Sequence, residues 1–258
     1  MTESDLRITQ RLAAKEACRT MDEVEKFYEC YDYHGADFAG VEIGIFGPAP
    51  VIFTAPHSIL QIREGEEKEA DLGTGSLAYF LAQRLGGTSI SMIGRQTGDP
   101  MTDKDHPFKA DVLERAKELR ELNGSRVLVV DLHGIGDASA AETGCDIGLG
   151  IGSIPNPASG FMVRAYSTTG RQLGFTVKSG LGKFAALKAT GITMTALNAG
   201  ICAIQVEHRP SLRFGADLEA RYKCLRLHHA VVTATLAELE ALDSLYEVSG
   251  KIHVPATL

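Results

Sequence analysis

Four positions at the ends of predicted strands carry side chains that are able to bind a metal ion. His57, His133 and the adjacent pair Glu207 and His208 each follow an apolar run, and Asp71 lies in the long loop after His57. The carboxyl ends of parallel strands share one edge of a sheet, and the loops that leave them converge on one crevice. Two imidazoles, one carboxylate ligand and a spare carboxylate form the ligand set of a mononuclear catalytic zinc site with a position open for water.

Each of these residues also has a simpler structural interpretation. A histidine at the end of a strand is often an ordinary hydrogen-bonding loop residue, and Asp71 is suited to cap the helix that follows it. Glu207 is close in sequence to two partners for an ion pair, Arg209 and Arg213. One shared site accounts for all four positions with a single explanation, and we favour it over four separate ones.

The elements that must position these side chains alternate between strands and helices. Short β-branched runs predict strands, and apolar residues at helical spacing predict amphipathic helices. Residues 41–46 and 50–54 are interpreted as a hairpin whose second strand enters the core. Further strands are predicted at 88–93, 126–132, 145–149 and 201–206, and helices at 5–33, 77–85, 108–122, 159–173 and 216–245.

This alternation predicts an α/β fold. We expect a single three-layer domain of the phosphorylase/hydrolase-like type, with a mostly parallel mixed sheet and helices on both faces. The continuous run Val-Leu-Val-Val at 127–130 is typical of a strand inside a parallel sheet. No internal repeat or linker divides the chain, so residues 1–258 are interpreted as one domain, with an N-terminal helical segment at 1–40 and a C-terminal helix and tail at 215–258.

Composition excludes several classes of protein. The chain has 258 residues, of which 44% are hydrophobic, enough for a sizeable core. Its 26 Lys and Arg against 33 Asp and Glu give a net charge of −7, which argues against nucleic acid as a partner. Its apolar runs are shorter than the roughly 20 residues of a membrane-spanning helix, and we expect no membrane partner and no signal peptide. Scattered cysteines without a CxxC pair predict reduced thiols and a cytoplasmic protein.

Five short motifs follow one another along the middle of the chain, from about Val51 to Arg213. They are Thr54-Ala55-Pro56-His57-Ser58, Arg63-Glu64-Gly65 with Lys68, Ala70-Asp71-Leu72-Gly73-Thr74-Gly75, Val130-Asp131-Leu132-His133-Gly134 and Gln205-Val206-Glu207. In this order they resemble the N-formylglutamate amidohydrolase family, which is similar in fold to zinc carboxypeptidases and poly-γ-glutamate hydrolases. The combination is more specific than any motif alone.

The resemblance implies a role for each matched residue. His57, Asp71 and His133 would bind one Zn²⁺ ion, and Glu207 would be the general base that takes a proton from water and later gives it to the leaving amine. Members of the family often have glutamate at the position of Asp71. Glu64 lies in the same loop after His57 and is an alternative ligand, although we favour Asp71 for its place before a Gly-Thr pair.

An amide hydrolase also needs a positive group for the oxyanion and for an acidic substrate. Arg63 and Arg95 follow predicted strands, and a guanidinium binds a carboxylate through two hydrogen bonds. Arg209 is a third candidate, and solvated surface positions are the alternative for these arginines. Asp131 precedes His133 by two residues on the same strand face, which suits it to orient that histidine.

These features support one leading function. We expect a zinc-dependent hydrolase of a linear amide bond in a small acidic acyl-amino acid, a small-molecule substrate. The same metal site would also serve a carboxypeptidase-like or γ-glutamyl peptidase. Two functions without catalysis are also compatible with the sequence: a metal-binding protein, and a domain without metal that binds an anionic metabolite through arginines.

Overall fold

The computed structural model describes residues 3–37, 40–95, 98–123, 126–180 and 185–250. The tail predicted at the C-terminus, beyond residue 250, lies outside the described residues. The elements in chain order are α1 (Glu3–Glu29), β1 (Val41–Ile45), β2 (Val51–Ala55), β3 (Gln61–Arg63), β4 (Glu66–Lys68), α2 (Thr74–Leu85), β5 (Thr88–Met92), α3 (Pro107–Asn123), β6 (Leu128–Gly134), α4 (Asp137–Thr143), β7 (Ile147–Gly150), α5 (Pro157–Leu173), β8 (Val177–Ser179), α6 (Ile192–Asn198), β9 (Cys202–His208), α7 (Pro210–Arg213) and α8 (Leu218–Gly250).

Seven strands form one mixed sheet in the order β1-β5-β2-β6-β9-β7-β8. The four strands β5, β2, β6 and β9 run parallel to one another. β1 is antiparallel to β5, and β7 is antiparallel to β9 and parallel to β8. The predicted mostly parallel mixed sheet is therefore confirmed. The strands β3 and β4 form a separate two-stranded hairpin.

Helices cover both faces of the sheet, as predicted. On one face, Leu128, Val130 and Leu132 of β6 pack in a core with side chains of α1, α2, α5 and α8. On the other face, Val129 packs with side chains of α3 and α6. This division follows from the alternation of side chains along a strand. Among the described residues, no helix combines the length and the apolar character that crossing a membrane requires.

The hairpin predicted from the first two strands is wrong. β1 pairs with β5, Val41 facing Met92, while β2 lies between β5 and β6. The reason is burial. All five residues of β2 are buried, whereas Ile43 and Ile45 of β1 are 43% and 59% exposed. A strand that is apolar on both faces fits the middle of a sheet, and a half-exposed strand fits its edge.

Several short elements were not predicted. They are the β3–β4 hairpin, α4, β8, α6 and α7. The hairpin turns at Glu64 and Gly65, which both have positive φ, 55° and 87°. Segments of three to seven residues give little periodicity, so the sequence pattern contains no signal for them.

The start of α2 packs tightly against α1. Tyr28 is buried, with 2% exposure, and a β-carbon at Gly75 would overlap its phenol ring. Gly75 lies in the first turn of α2, directly after the loop that carries Asp71. The glycine therefore permits the close approach that fixes the N-terminus of α2 beside this loop.

Replacing Gly75 by alanine is expected to lower the free energy of unfolding by about 1–3 kcal/mol, because overlap with a buried ring outweighs the helix propensity of alanine. Gly160→Ala on α5 is the matched control, since a β-carbon there meets only the end of the Arg164 side chain at 3.6 Å. That variant should be neutral or more stable by up to about 1 kcal/mol. Urea denaturation measures both, and equal effects would contradict the packing argument.

Candidate active site

Three of the predicted site residues meet at the carboxyl edge of the sheet. His57 follows β2, His133 lies in β6, and Asp71 lies in the loop before α2. Asp71 Oδ2 is 3.3 Å from His57 Nδ1 and 3.4 Å from His133 Nδ1. One ligand atom from each residue lies within 4.8 Å of the other two. The side chains of all three are largely buried, with 5%, 12% and 4% exposure for His57, Asp71 and His133.

The backbone around Asp71 aims its carboxylate at the two histidines. The Asp71 amide donates to the His57 carbonyl at 2.8 Å, and the Thr74 amide donates to the Asp71 carbonyl at 3.1 Å. Gly73 caps α2 in a left-handed conformation, with φ 78°, and no side chain caps this helix. The interpretation of Asp71 as a helix cap is therefore wrong. Its side chain is free to contact the imidazoles.

A second carboxylate lies behind each imidazole. Asp99 Oδ1 is 3.1 Å from His57 Nε2, and Asp131 Oδ2 is 3.3 Å from His133 Nε2. The first contact has hydrogen-bond alignment, whereas the second has only the distance of an ion pair. Both histidines thus present Nδ1 to the shared centre and Nε2 to a fully buried carboxylate. This arrangement is typical of metal-binding histidines, whose orientation and basicity an outer carboxylate sets.

The electrostatics of the centre follow from burial and close partners. Burial alone would raise the pKa of Asp71, but the contacts with His133, His57 and Lys68 hold it well below its usual value. Burial would lower the pKa of His133, but Asp131, Asp71 and Glu207 hold it well above its usual value. The pair therefore carries opposite charges in the protein without metal. A shared cation would take the place of the imidazolium proton.

Glu207 stands beside the centre in the register of the sheet. It pairs with His133 across β6 and β9, so both side chains point to the same face. Gln205 donates to Glu207 Oε1 at 2.7 Å. Burial, with smaller contributions from Asp71 and Asp131, raises the pKa of Glu207 to about 7 against the lowering effect of His133. A carboxylate with this pKa exchanges protons near neutral pH.

The donor set fits a divalent metal ion such as zinc. Two imidazole nitrogens and one carboxylate oxygen are the protein ligands of a catalytic zinc site with one position left open. Lys68 Nζ lies 3.2 Å from His57 Nδ1 and 3.6 Å from Asp71 Oδ1, so a positive charge is already favoured at this place. Histidine and carboxylate ligands also suit other divalent metals.

These residues line a cleft of about 350 Å³. Its wall includes the predicted residues His57, Arg63, Asp71, His133 and Glu207, and also Lys68 and Lys188. An apolar part is formed by Met101, Ile135, Ala186 and Leu187. The volume is within the range of sites for small molecules.

Of the remaining candidates, three lie outside the wall of the cleft and Arg63 lies within it. Arg95 is exposed and is not among the described residues that line the cleft. Glu64 is exposed in the turn of the β3–β4 hairpin and is not part of the group formed by the two histidines and Asp71. Arg209 pairs with Asp146 at 2.7 Å. Arg63 lines the cleft, but its guanidinium pairs with Asp99 at 2.5 Å.

Comparison with known proteins gives matches in structure. No protein-family model matches the chain, and no curated protein matches it in sequence. A gene product of Agrobacterium tumefaciens superposes with a TM-score of 0.61 at 14% identity, over 80% of this chain and 99% of that one. An N-formylglutamate amidohydrolase from Ralstonia eutropha gives 0.54 at 14% identity, over 77% and 98%. A bacteriophage poly-γ-glutamate hydrolase gives 0.51 at 15% identity, over 83% and 95%.

The chain has an N-formylglutamate amidohydrolase-like fold. This is the fold that the ordered motifs predicted, so the resemblance in fold is confirmed. At these identities the similarity extends to the fold alone. The functional assignment of His57, Asp71, His133 and Glu207 depends on the geometry of the cleft.

Sequence reasoning assigned no role to Asp99, Lys68 or Lys188, which the amidohydrolase-like fold brings to the cleft. Asp99 follows β5, at the same sheet edge as His57 and His133. This position after a parallel strand is the feature of the sequence that could have indicated a place in the cleft. Lys68 belongs to a matched motif but is placed by the unpredicted β3–β4 hairpin. Lys188 precedes the unpredicted helix α6, and nothing in its sequence context marked it.

A second group of side chains of the kinds that bind metals lies on the other face of the seven-stranded sheet. His208, Cys224 and His228 are close together and fully buried. His208 Nδ1 is 3.2 Å from the His133 carbonyl, which only accepts hydrogen bonds, so this nitrogen carries a proton. His208 Nε2 then accepts from His228 Nε2 at 2.7 Å, and His228 Nδ1 accepts from the Tyr166 hydroxyl at 2.8 Å.

Every polar atom in this chain of hydrogen bonds has a partner while both imidazoles are neutral. Burial lowers the pKa of His208 well below its usual value and that of His228 to about 3. Burial also raises the pKa of the Cys224 thiol to about 12. This group therefore has the properties of a neutral internal network, whereas the group that contains Asp71 favours a cation.

The raised pKa of Glu207 predicts how stability depends on pH in the metal-free protein. Its pKa of about 7 in the folded protein is above the ordinary value of about 4.3. Its contribution to stability is therefore fully present below about pH 4 and is lost as the pH rises through about 7. Relative to Glu207→Gln, wild type should lose about 3 kcal/mol over this range in urea denaturation with a chelator. Glu238→Gln, at an exposed position of α8, is the control for removing a carboxylate outside the cleft. A constant difference for Glu207→Gln would contradict the raised pKa.

Proposed function

We propose that this chain is a zinc-dependent hydrolase that cleaves a linear amide bond in a small acidic acyl-amino acid. The observation that carries the proposal is the convergence of His57 Nδ1, His133 Nδ1 and Asp71 Oδ2, with Glu207 beside them, in one cleft. Three metal ligands and a separate proton-transfer group are the parts that metal-assisted amide hydrolysis requires.

His57, Asp71 and His133 would hold the ion in the cleft. When bound, zinc supplies Lewis acidity, which polarises the substrate carbonyl and lowers the pKa of water toward about 7. Side chains of the protein orient the ligands and transfer the proton. Asp99 and Asp131 hold the two imidazoles with Nδ1 toward the centre.

Glu207 is the proton-transfer group of the proposed reaction. Its carboxylate accepts a proton from the attacking water and donates it to the nitrogen of the departing amine. In the protein without metal, burial raises its pKa to about 7, so this carboxylate is able to take up and release a proton near neutral pH. Gln205, hydrogen-bonded to Oε1, holds the carboxylate in place.

Two cations in the wall of the cleft, Lys68 and Arg63, have different proposed tasks. Lys68 contacts both His57 and Asp71, and it is placed to neutralise the oxyanion that forms at the carbonyl oxygen. Arg63 was predicted to bind substrate, but its pairing with Asp99 suits it to fixing the carboxylate that orients His57. We therefore assign Arg63 to positioning.

A second candidate is hydrolysis of a γ-glutamyl peptide bond. It uses the same cleft and the same residues. The similarity in fold to a poly-γ-glutamate hydrolase favours keeping it as the alternative. Turnover of N-formyl-L-glutamate, compared with γ-glutamyl dipeptides and with peptides that have a free C-terminus, separates the two candidates and the carboxypeptidase-like activity.

Replacing Glu207 by glutamine should lower kcat on the best of these substrates by about 10²–10⁴-fold, because the proton-transfer group is lost. The variant should keep its zinc, since Glu207 is not one of the three proposed ligands. Glu238→Gln on α8 is the control and should keep wild-type activity. Retained zinc without turnover of any amide by the wild type would instead indicate a non-catalytic metal-binding protein.

Elemental analysis of metal per chain tests the ligand assignment. We expect about one zinc in wild type, and its loss in both His133→Ala and Asp71→Asn, since each removes one of three ligands. Cys224→Ala, in the second group, should keep the ion. Loss of metal from Cys224→Ala with retention in Asp71→Asn would move the site to the other face of the sheet.

A further inference from the structure

Three cationic side chains line the cleft, and two of them have carboxylate partners. Arg63 pairs with Asp99 at 2.5 Å. Lys68 Nζ is 3.6 Å from Asp71 Oδ1 and contacts His57. The third cation is Lys188. Lys188 therefore lies in the same cleft as two cations that already have carboxylate partners.

Lys188 has no such partner in the part of the chain that the structure describes. Its ammonium makes no ion pair there, and the charge of Arg63 and that of Lys68 act with burial to lower its pKa. Asp99 and Glu64 attract it from a distance, but Asp99 already binds His57 and Arg63. An anion bound at Lys188 would reduce the repulsion between these three positive charges.

The backbone that carries Lys188 is anchored rather than loose. The Lys188 carbonyl accepts from the Gly191 amide at 2.8 Å, and the Thr190 hydroxyl donates to the Met101 carbonyl at 2.8 Å. The Ala185 carbonyl accepts from the Gly152 amide at 3.2 Å. These contacts hold the backbone of residues 185–191 against the rest of the fold, so the backbone that carries Lys188 is in place before a ligand binds.

Ala186 adds a second feature to this segment. It has a positive φ of 54° although it is not glycine, and it is buried in the wall of the cleft with 8% exposure. A left-handed alanine costs of order 1 kcal/mol and persists where the surroundings require it. The strained turn brings Ala186, Leu187 and Lys188 to the cleft one after another.

The apolar neighbours of Lys188 indicate the shape of the ligand. Leu187 is 61% exposed, and it lines the cleft together with Ala186 and Met101. An anion at Lys188 would therefore be joined to the reacting amide by a short aliphatic segment in contact with these side chains. An acidic amino acid has this combination of a methylene chain and a terminal carboxylate.

We propose that Lys188 binds a carboxylate of the substrate and makes the cleft selective for anionic over neutral acyl-amino acids. This inference rests on the proposed function, because it takes the amide to lie at the centre formed by His57, Asp71 and His133. Lys188 replaces Arg63 and Arg95 in this role. Arg63 is occupied by Asp99, and Arg95 is not among the described residues of the cleft.

Binding of two small probes to the zinc-loaded full-length protein tests the proposal without catalysis. Glutarate has a carboxylate at each end, and glutaramate has a carboxylate at one end and an amide at the other. In wild type, isothermal titration calorimetry should give a Kd for glutarate that is at least about tenfold lower than the Kd for glutaramate. This difference is the one expected for one charge-assisted hydrogen bond. The ratio of the two Kd values should fall to about 2, the statistical advantage of two equal ends, in Lys188→Met.

Two further variants separate charge from structure. Lys188→Arg keeps the positive charge and should keep most of the selectivity. Lys117→Met removes a lysine on α3 whose side chain is 77% exposed, and it should behave as wild type. Lys188→Glu should bind glutaramate more tightly than glutarate, because the new carboxylate repels the second charge of glutarate.

The outcomes distinguish this inference from the proposed function. A ratio near 2 in wild type, or a ratio unchanged in Lys188→Met, overturns the role of Lys188 even if amides are hydrolysed. A ratio that depends on Lys188, in a protein that hydrolyses no amide, supports the anion subsite and removes the proposed reaction. Where hydrolysis is observed, Lys188→Met should raise KM for N-formyl-L-glutamate about tenfold while kcat stays within about threefold.

Discussion

The structure of the cleft depends on one interaction, the contact of the buried Asp71 carboxylate with two imidazoles. A carboxylate taken out of water is costly unless charged or hydrogen-bonding partners replace the water. His57 and His133 provide those partners on one side of the centre, and Asp99 and Asp131 stand behind them. The carboxylates of Asp71, Asp99 and Asp131 are therefore buried close together, and nearby cations reduce the repulsion between them. The position of one carboxylate oxygen between two imidazole nitrogens is the physical reason for proposing a metal ion at this centre.

The fold supplies one such cation from beneath the site. Arg213 is buried, with 4% exposure, and it donates to the His208 carbonyl at 3.1 Å and to the Leu72 carbonyl. It thereby connects the end of β9 to the loop that carries Asp71. Gly134, at the end of β6, has no side chain because a β-carbon would overlap this guanidinium. The glycine that follows His133 in the motif is thus explained by packing against Arg213.

Sequence patterns predicted the sheet and the meeting of the main residues for the same reason. Parallel strands place their carboxyl ends at one edge, so His57 and His133 had to be neighbours once β2 and β6 were identified as buried strands. Asp71 and Glu64 were harder to distinguish, because both lie in the loop after His57. The β3–β4 hairpin decides between them by carrying Glu64 to an exposed turn. The contacts of Asp99 with His57, across 42 residues of sequence, and the place of Lys188 depend on long-range packing that no local pattern encodes.

Glu207 and His208 are adjacent in sequence, yet the alternation of β9 sends them to different environments. Glu207 lies on the face of His133, where burial and nearby carboxylates favour its protonated form. His208 lies on the opposite face, where burial keeps it neutral. It is hydrogen-bonded to the His133 carbonyl and to His228, and His228 in turn contacts the Tyr166 hydroxyl. The backbone of His133 is therefore held from one face of the sheet while its imidazole is held by carboxylates on the other. A histidine fixed at both its backbone and its ring would lose little conformational entropy on binding an ion, as the proposed metal site requires.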